Sequence, residues 1–262
     1  NIKYIWLNIT KKKKGQSSFI KLTIKTKDQI VADGLPHGEY NLQNIGTHLS
    51  VEEWNKAMDD GAIIVDMRNH YESRIGHFEG AITPDVDTFK EELPKVKEML
   101  ADKKDKKILL YCTGGIRCEK TSAYLKHHGF EDVNQLEGGI IKYTRDAKEK
   151  GLPIKFKGKN FVFDERLAEK ISDDIIAECD QCGKQCDDQT NCANEICHLL
   201  FIQCSDCSKR FDGCCTVECQ DIKKLPESEQ KKLRKQYRFM KGKETYRSRL
   251  RPKLREKEKQ AS

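Results

Sequence analysis

The chain has 262 residues, 37% of them hydrophobic and 35% charged, and this suits a soluble protein of two compact units with long solvated segments. No apolar run approaches the roughly 20 residues of a helical membrane span, which argues against a membrane partner. The net charge of +7 is uneven: the segment Lys223–Ser262 carries 16 Lys/Arg against 5 Glu, a net +11 that leaves −4 for the rest. A basic tail of this kind attracts polyanions by releasing counterions, although charge runs also merely solubilise.

In chain order, Asn1 is not a methionine, and the first ten residues show neither a basic leader nor a small-residue cleavage site, so the chain reads as a fragment and not as a secreted precursor. Residues 1–45 are expected to be the remnant of an N-terminal domain and a linker. The alternation of Ile20, Leu22 and Ile24 with Lys21, Thr23 and Lys25 predicts a half-buried strand over Phe19–Ile30, and Gly34, Pro36 and Gly38 break that pattern. An α/β domain is then expected over residues 46–150. Ser50 with Glu53 forms a capping box for a helix ending before Gly61. Ile63–Val65 and Ile108–Leu110 are short continuous apolar runs of the kind found in parallel sheets. Thr88–Leu100 has helical spacing despite Pro94, Cys118–His128 is helical until Gly129, Val133–Leu136 is a strand, and Ile140–Lys150 is a helix. Residues 151–178 read as an extended connector with a hairpin around Gly158, residues 179–222 as a Cys-rich module, and residues 223–262 as the basic tail.

Of twelve cysteines, ten lie between Cys179 and Cys219. In a reducing compartment such clustering points to metal before disulfides, with an iron–sulfur cluster a more remote reading. The pairs Cys179-x2-Cys182 and Cys204-x2-Cys207 have the spacing of two knuckles that close one tetrahedral zinc site. A second site can draw its ligands from Cys186, Cys192, Cys197, His198, Cys214, Cys215 and Cys219, and the spacing does not choose among them. With Leu199–Ile202 as its main apolar run, so short a module needs staples to fold, and these cysteines are expected to build structure.

Cys112 and Cys118 stand apart. Cys112 directly follows the second apolar strand, and Thr113, Gly114, Gly115, Ile116 and Arg117 separate it from a helix expected to begin at Cys118. A strand-to-helix loop turns backbone N–H groups inward and adds the positive end of the helix dipole, so the loop cradles an anion and lowers the cysteine pKa. Arg117 is expected to grip an anionic group by forked hydrogen bonds or to make a surface ion pair. Cys118 reads either as a second reactive thiol or as a small buried helix-start residue. His70 and His77 are available nearby.

The same segment resembles the rhodanese family, together with Asp66-Met67-Arg68, Glu72, the GHFEGA element at Gly76–Ala81 and the LEGG turn at Leu136–Gly139. More closely, VDMRNHYE at Val65–Glu72, YCTGGIRCEK at Tyr111–Lys120, GKNFVFDER at Gly158–Arg166 and the Cys-rich segment resemble the bacterial rhodanese-domain tRNA uridine(34) hydroxylases. That resemblance implies a cytoplasmic, oxygen-dependent oxidoreductase making 5-hydroxyuridine at the wobble position of tRNA, with Cys112 as the essential thiol and Arg117 and Cys118 beside it. A sulfurtransferase carrying a Cys112 persulfide, and a non-catalytic RNA- or protein-binding scaffold, are the alternatives. No dinucleotide fingerprint and no two-His-one-carboxylate triad is evident, so neither flavin nor non-haem iron is expected.

Overall fold

The computed structural model describes residue 29, residues 31–164, residues 166–241, and residues 254 and 255. The strand expected over Phe19–Ile30, apart from Gln29, and most of the basic tail past Lys241 lie outside the described residues. The chain divides between Asp173 and Asp174 into two compact units.

The first unit contains, in order, β1 (Thr47–Leu49), α1 (Val51–Asp59), β2 (Ile63–Asp66), α2 (His70–Ser73), β3 (Gly76–Phe78), α3 (Phe89–Met99), β4 (Lys107–Tyr111), α4 (Ile116–His127), β5 (Asp132–Leu136), α5 (Gly139–Lys150), β6 (Phe156–Phe161) and β7 (Ala168–Lys170). Four strands form a parallel sheet in the order β1-β5-β4-β2, with Ile63 opposite Ile108 and Lys107 opposite Asp132. Parallel strands need crossovers, and the helices supply them while covering both faces. One face buries Val65, Ile108 and Leu110 with Leu93 and Val96 of α3 and Leu125 of α4. The other buries Ile64, Leu109 and Tyr111 with Trp54 of α1 and Tyr143 of α5.

The local signals hold at α1, where the Ser50 hydroxyl accepts from the Glu53 N–H and the Glu53 carboxylate accepts from the Ser50 N–H. Elsewhere the structure corrects the expectations. α4 begins at Ile116, two residues before Cys118, so Ile116 and Arg117 belong to its first turn and Gly115 is its cap. No hairpin turns at Gly158. That glycine sits inside β6, which pairs antiparallel with β3 (Gly76 opposite Gly158), and the turn comes after Phe161, before β7. A Cβ at Gly158 would lie 2.3 Å from the Ile75 carbonyl oxygen, so its absence allows the two strands to meet.

β6 also closes a buried network over the end of β2. Arg68 is fully buried; its Nε and Nη2 donate to the two carboxylate oxygens of Asp66 at 2.8 and 2.7 Å. The same Nη2 reaches the Gly76 carbonyl, Nη1 reaches Asn160 of β6, and the Tyr111 hydroxyl donates to Asp66 at 2.7 Å. A guanidinium removed from water needs each of these partners, which explains why the DMR and GKN segments occur together.

The second unit contains β8 (Gln189–Asn191), β9 (Leu200–Ile202), α6 (Ser205–Arg210), α7 (Val217–Lys224) and α8 (Glu227–Lys241). β8 and β9 form an antiparallel pair, and Phe201 and Leu199 pack with Cys192, Cys214 and Cys215. No described helix is long and apolar enough to cross a membrane.

Candidate active site and metal centres

Cys112 lies at the carboxyl end of the parallel strand β4, where α/β sheets place their ligands. It is 2% exposed. The chain then turns through Thr113 and Gly114 to Gly115, whose φ of 92° is the left-handed conformation a side chain would resist. This aims the Gly115 N–H at the Cys112 Sγ, 3.1 Å away. The loop is supported from behind by the LEGG turn. Ile140 and Ile141 donate their N–H groups to the carbonyls of Cys112 and Thr113 at 3.1 and 3.3 Å. Gly139 has a φ of 65°, and a Cβ there would fall 2.5 Å from the Cys112 carbonyl oxygen. The two motifs are therefore one structure.

The Cys112 thiol is brought down to about 5: first by a hydrogen bond from the Cys118 thiol, then by the positive charge of Arg117 and the N–H groups of Arg117 and Cys118, which together outweigh burial. Cys118 is fully buried and its own thiol is pushed up by that burial and by the neighbouring Cys112 sulfur. In this arrangement the protonated Cys118 thiol stands as a donor toward Cys112.

Arg117 faces inward. Its Nη1 and Nη2 donate to the two carboxylate oxygens of Glu72 at 2.7 and 2.8 Å, with the Arg117 side chain 11% and the Glu72 side chain 0% exposed. The fork expected on a bound anion is thus taken by Glu72, in a buried pair and not on the surface. Burial works against ionisation of Glu72, but the charge and hydrogen bonds of Arg117 prevail and hold its carboxyl below the ordinary range. Glu72 also accepts from the Asn69 N–H at 3.1 Å as part of a capping box, and from the Thr113 hydroxyl at 3.4 Å.

A small hollow beside the loop is lined by Gly114, Gly115, Gly138, His48, Glu119 and Gln135, among others. His48 Nε2 lies 2.7 Å from Glu119, and that hydrogen bond raises the His48 pKa. Sequence reasoning passed over these three polar residues because they come from β1, α4 and β5. His70 bonds toward the Val86 carbonyl and the Asp87 carboxylate, and His77 toward the Phe78 carbonyl.

All twelve cysteines carry no disulfide. In the second unit Cys179, Cys182, Cys204 and Cys207 converge, as do Cys192, Cys197, Cys215 and Cys219; within each group the sulfurs lie within 4.8 Å of one another. The first group is the one expected from the two knuckles. The second uses four of the seven residues that spacing left open and does not take in Cys186, His198 or Cys214. His198 occupies a left-handed turn with φ 48° and its side chain faces solvent. The Cys186 sulfur accepts from the Asp188 N–H, and the Cys214 sulfur points toward the Asp212 carbonyl.

Comparison with known proteins follows the same division. The model of the rhodanese-like domain matches residues 50–146, and the model described as rhodanase C-terminal matches residues 157–220. A tRNA uridine(34) hydroxylase of Leptospira interrogans is 55% identical over 244 residues, 91% of this chain and 65% of that protein. A tRNA uridine(34) hydroxylase of Pectobacterium atrosepticum is 54% identical over 88% of this chain and 65% of that protein. Over about nine-tenths of its length the chain is similar to the tRNA uridine(34) hydroxylases, and residues 50–146 of it match the rhodanese-like domain. It spans about 65% of the length of these curated relatives. Among solved structures, the rhodanese-like domain of an Anabaena protein superposes with a TM-score of 0.34 at 20% identity, covering 44% of this chain and 80% of that one.

Proposed function

We propose that this chain hydroxylates the wobble uridine of tRNA to 5-hydroxyuridine, with molecular oxygen as co-substrate and Cys112 as the reacting group. The observation that carries the reading is the Cys112 thiolate in its loop, within a chain 55% identical to a tRNA uridine(34) hydroxylase. A thiolate at neutral pH is a strong nucleophile. Adding it to C6 of uracil forms the S–C6 bond and moves the C5–C6 π pair toward C5 and O4, which enriches the carbon that becomes hydroxylated. The Gly115 N–H and the amino end of α4 hold the sulfur's charge before attack and after release. Cys118 donates to that sulfur, and Arg117 contributes charge while anchored on Glu72. From action on tRNA we infer a cytoplasmic location.

The basic α8, with Lys231, Lys232, Arg234 and Lys235, suits the phosphates of such a substrate. Each four-cysteine group fits zinc: a ZnS4 tetrahedron with Zn–S near 2.3 Å has S···S edges of roughly 3.8 Å. The separations Cys182–Cys204, Cys197–Cys215 and Cys215–Cys219 are 3.6, 3.7 and 3.7 Å. When bound, zinc supplies folding energy to a unit with a thin core and leaves no ligand position for chemistry.

Nucleoside mass spectrometry of tRNA from cells carrying only the Cys112→Ser protein tests the reading. Loss of 5-hydroxyuridine and its derivatives is expected; accumulation at the wild-type rate overturns it. The match of residues 50–146 to the rhodanese-like domain favours a second reading, a sulfurtransferase with a Cys112 persulfide. Loss of a thiolated nucleoside in the same spectra would select it.

A further inference from the structure

Glu92 has no part in the reading above, yet it is the most unusual side chain near Cys112. It lies on α3 at 0% exposure, and both its carboxyl oxygens are buried without a hydrogen-bond partner. Its companions on α3 are apolar: Phe89, Leu93 and Val96, all packed in the cluster that contains Cys112 and Cys118. The charged and titratable groups acting on it come from four elements: Arg117 from α4, Asp66 from β2, Glu72 from α2 and Cys112 after β4. Their charges are already nearly balanced. Asp66 is matched by Arg68, and Glu72 by Arg117, so a Cys112 thiolate leaves the cluster at one negative charge. A Glu92 carboxylate would make it two, in an apolar surround where neither of its oxygens meets a donor. Burial therefore pushes the Glu92 carboxyl well up, and Asp66, Glu72 and Cys112 push it further against the pull of Arg117.

We propose that Glu92 is the proton reservoir of the Cys112 site, a buried carboxylic acid that keeps its proton while Cys112 is a thiolate and yields it when the sulfur's charge is consumed in a covalent bond. The proposal rests on the reading of Cys112 as a reactive thiolate. When the sulfur bonds to an electrophilic carbon, its negative charge is lost and the displaced electron pair moves onto the acceptor. The Glu92 O–H bond then breaks, its pair stays on the carboxylate under the pull of the Arg117 charge, and the proton is released to solvent. Cluster charge remains at one negative throughout, and the reverse steps restore the thiolate and the acid. Glu92 acts through Cys112 and Arg117, as a positioning residue and not a catalytic one.

Infrared spectroscopy of the zinc-loaded protein reads this directly, since a protonated carboxyl has its own C=O stretch. At neutral pH we expect a protonated-carboxyl band in the wild type that Glu92→Gln removes. After alkylation of Cys112 with iodoacetamide, in which S–C forms and iodide leaves with its electron pair, the pH at which the band disappears should fall, because one of the charges that raise it is gone. Cys112→Ser, which also lacks the charge, should show the same fall and keeps the test alive if Glu92→Gln does not fold. A missing band at neutral pH, or a band whose titration ignores both alkylation and Cys112→Ser, overturns the proposal. Failure of the underlying reading looks different: Cys112 would then alkylate with the pH midpoint of an ordinary thiol, near 8.5.

Discussion

The two units use cysteine in opposite ways. In the first, one sulfur is surrounded by donors and positive charge: the Gly115 N–H, the Cys118 thiol, the Arg117 charge and a helix end. In the second, sulfurs face sulfurs at 3.6–3.7 Å, an arrangement of mutual repulsion once ionised unless a cation joins them. The first tunes reactivity, because its N–H groups, thiol donor and charge belong to the fold and stay when the sulfur reacts. The second is arranged to suppress it, because a tetrahedron of four sulfurs around a metal ion would have no open position. The difference lies in what surrounds the residue, since the residue itself is the same.

The comparison can be broken most forcefully from the second unit. Cys197→Ser should lower bound zinc from two ions per chain to one and disorder that unit, because structural zinc contributes about 10–16 kcal/mol to such folds. Metal analysis with circular dichroism checks it, and an unchanged two-zinc stoichiometry would break the assignment. In the first unit, Cys112→Ser should lower 5-hydroxyuridine formation by roughly 10³-fold or more, measured with tRNA in vitro, while zinc content stays the same. Arg117→Ala strands the Glu72 carboxylate and should destabilise the first unit by about 3–5 kcal/mol in denaturant unfolding, with the Cys112 midpoint raised. Cys118→Ala removes one donor to the thiolate and should raise the alkylation midpoint by about one to two units with little loss of stability. Least of all, Ser50→Ala should cost about 1 kcal/mol through the lost cap and leave both kinds of cysteine untouched.

What was legible in the sequence follows the range of the interactions. The capping box at Ser50, the apolar runs of β2 and β4 and the paired knuckles are local patterns, and the chain folds as they indicate. The start of α4 was displaced because Ile116 and Arg117 look like loop beside two glycines, yet their helical backbone is what turns N–H groups toward Cys112. The pairing of β3 with β6 joins residues about eighty apart, and no periodicity reports it. Nor does spacing select Cys192, Cys197, Cys215 and Cys219 from seven candidates, because the first two lie in the turn between β8 and β9 and the other two come from the segment that enters α7. Glu92 did leave a sign: it occupies the apolar stripe of α3 with Phe89, Leu93 and Val96, where a charge has no ordinary reason to be.

The pH dependence of the first unit has a definite sign. The Cys112 thiol ionises at about 5 in the fold and at about 8.5 when free of it, so ionisation stabilises the fold fully above about 8.5. That contribution declines as pH falls through this range and is gone below about 5. The most direct measurement is the rate of Cys112 carbamidomethylation by iodoacetamide against pH, followed by peptide mass spectrometry. A midpoint close to 5 is the expected result. A midpoint near 8.5, that of an ordinary thiol, would contradict the claim that this loop is built to hold a thiolate.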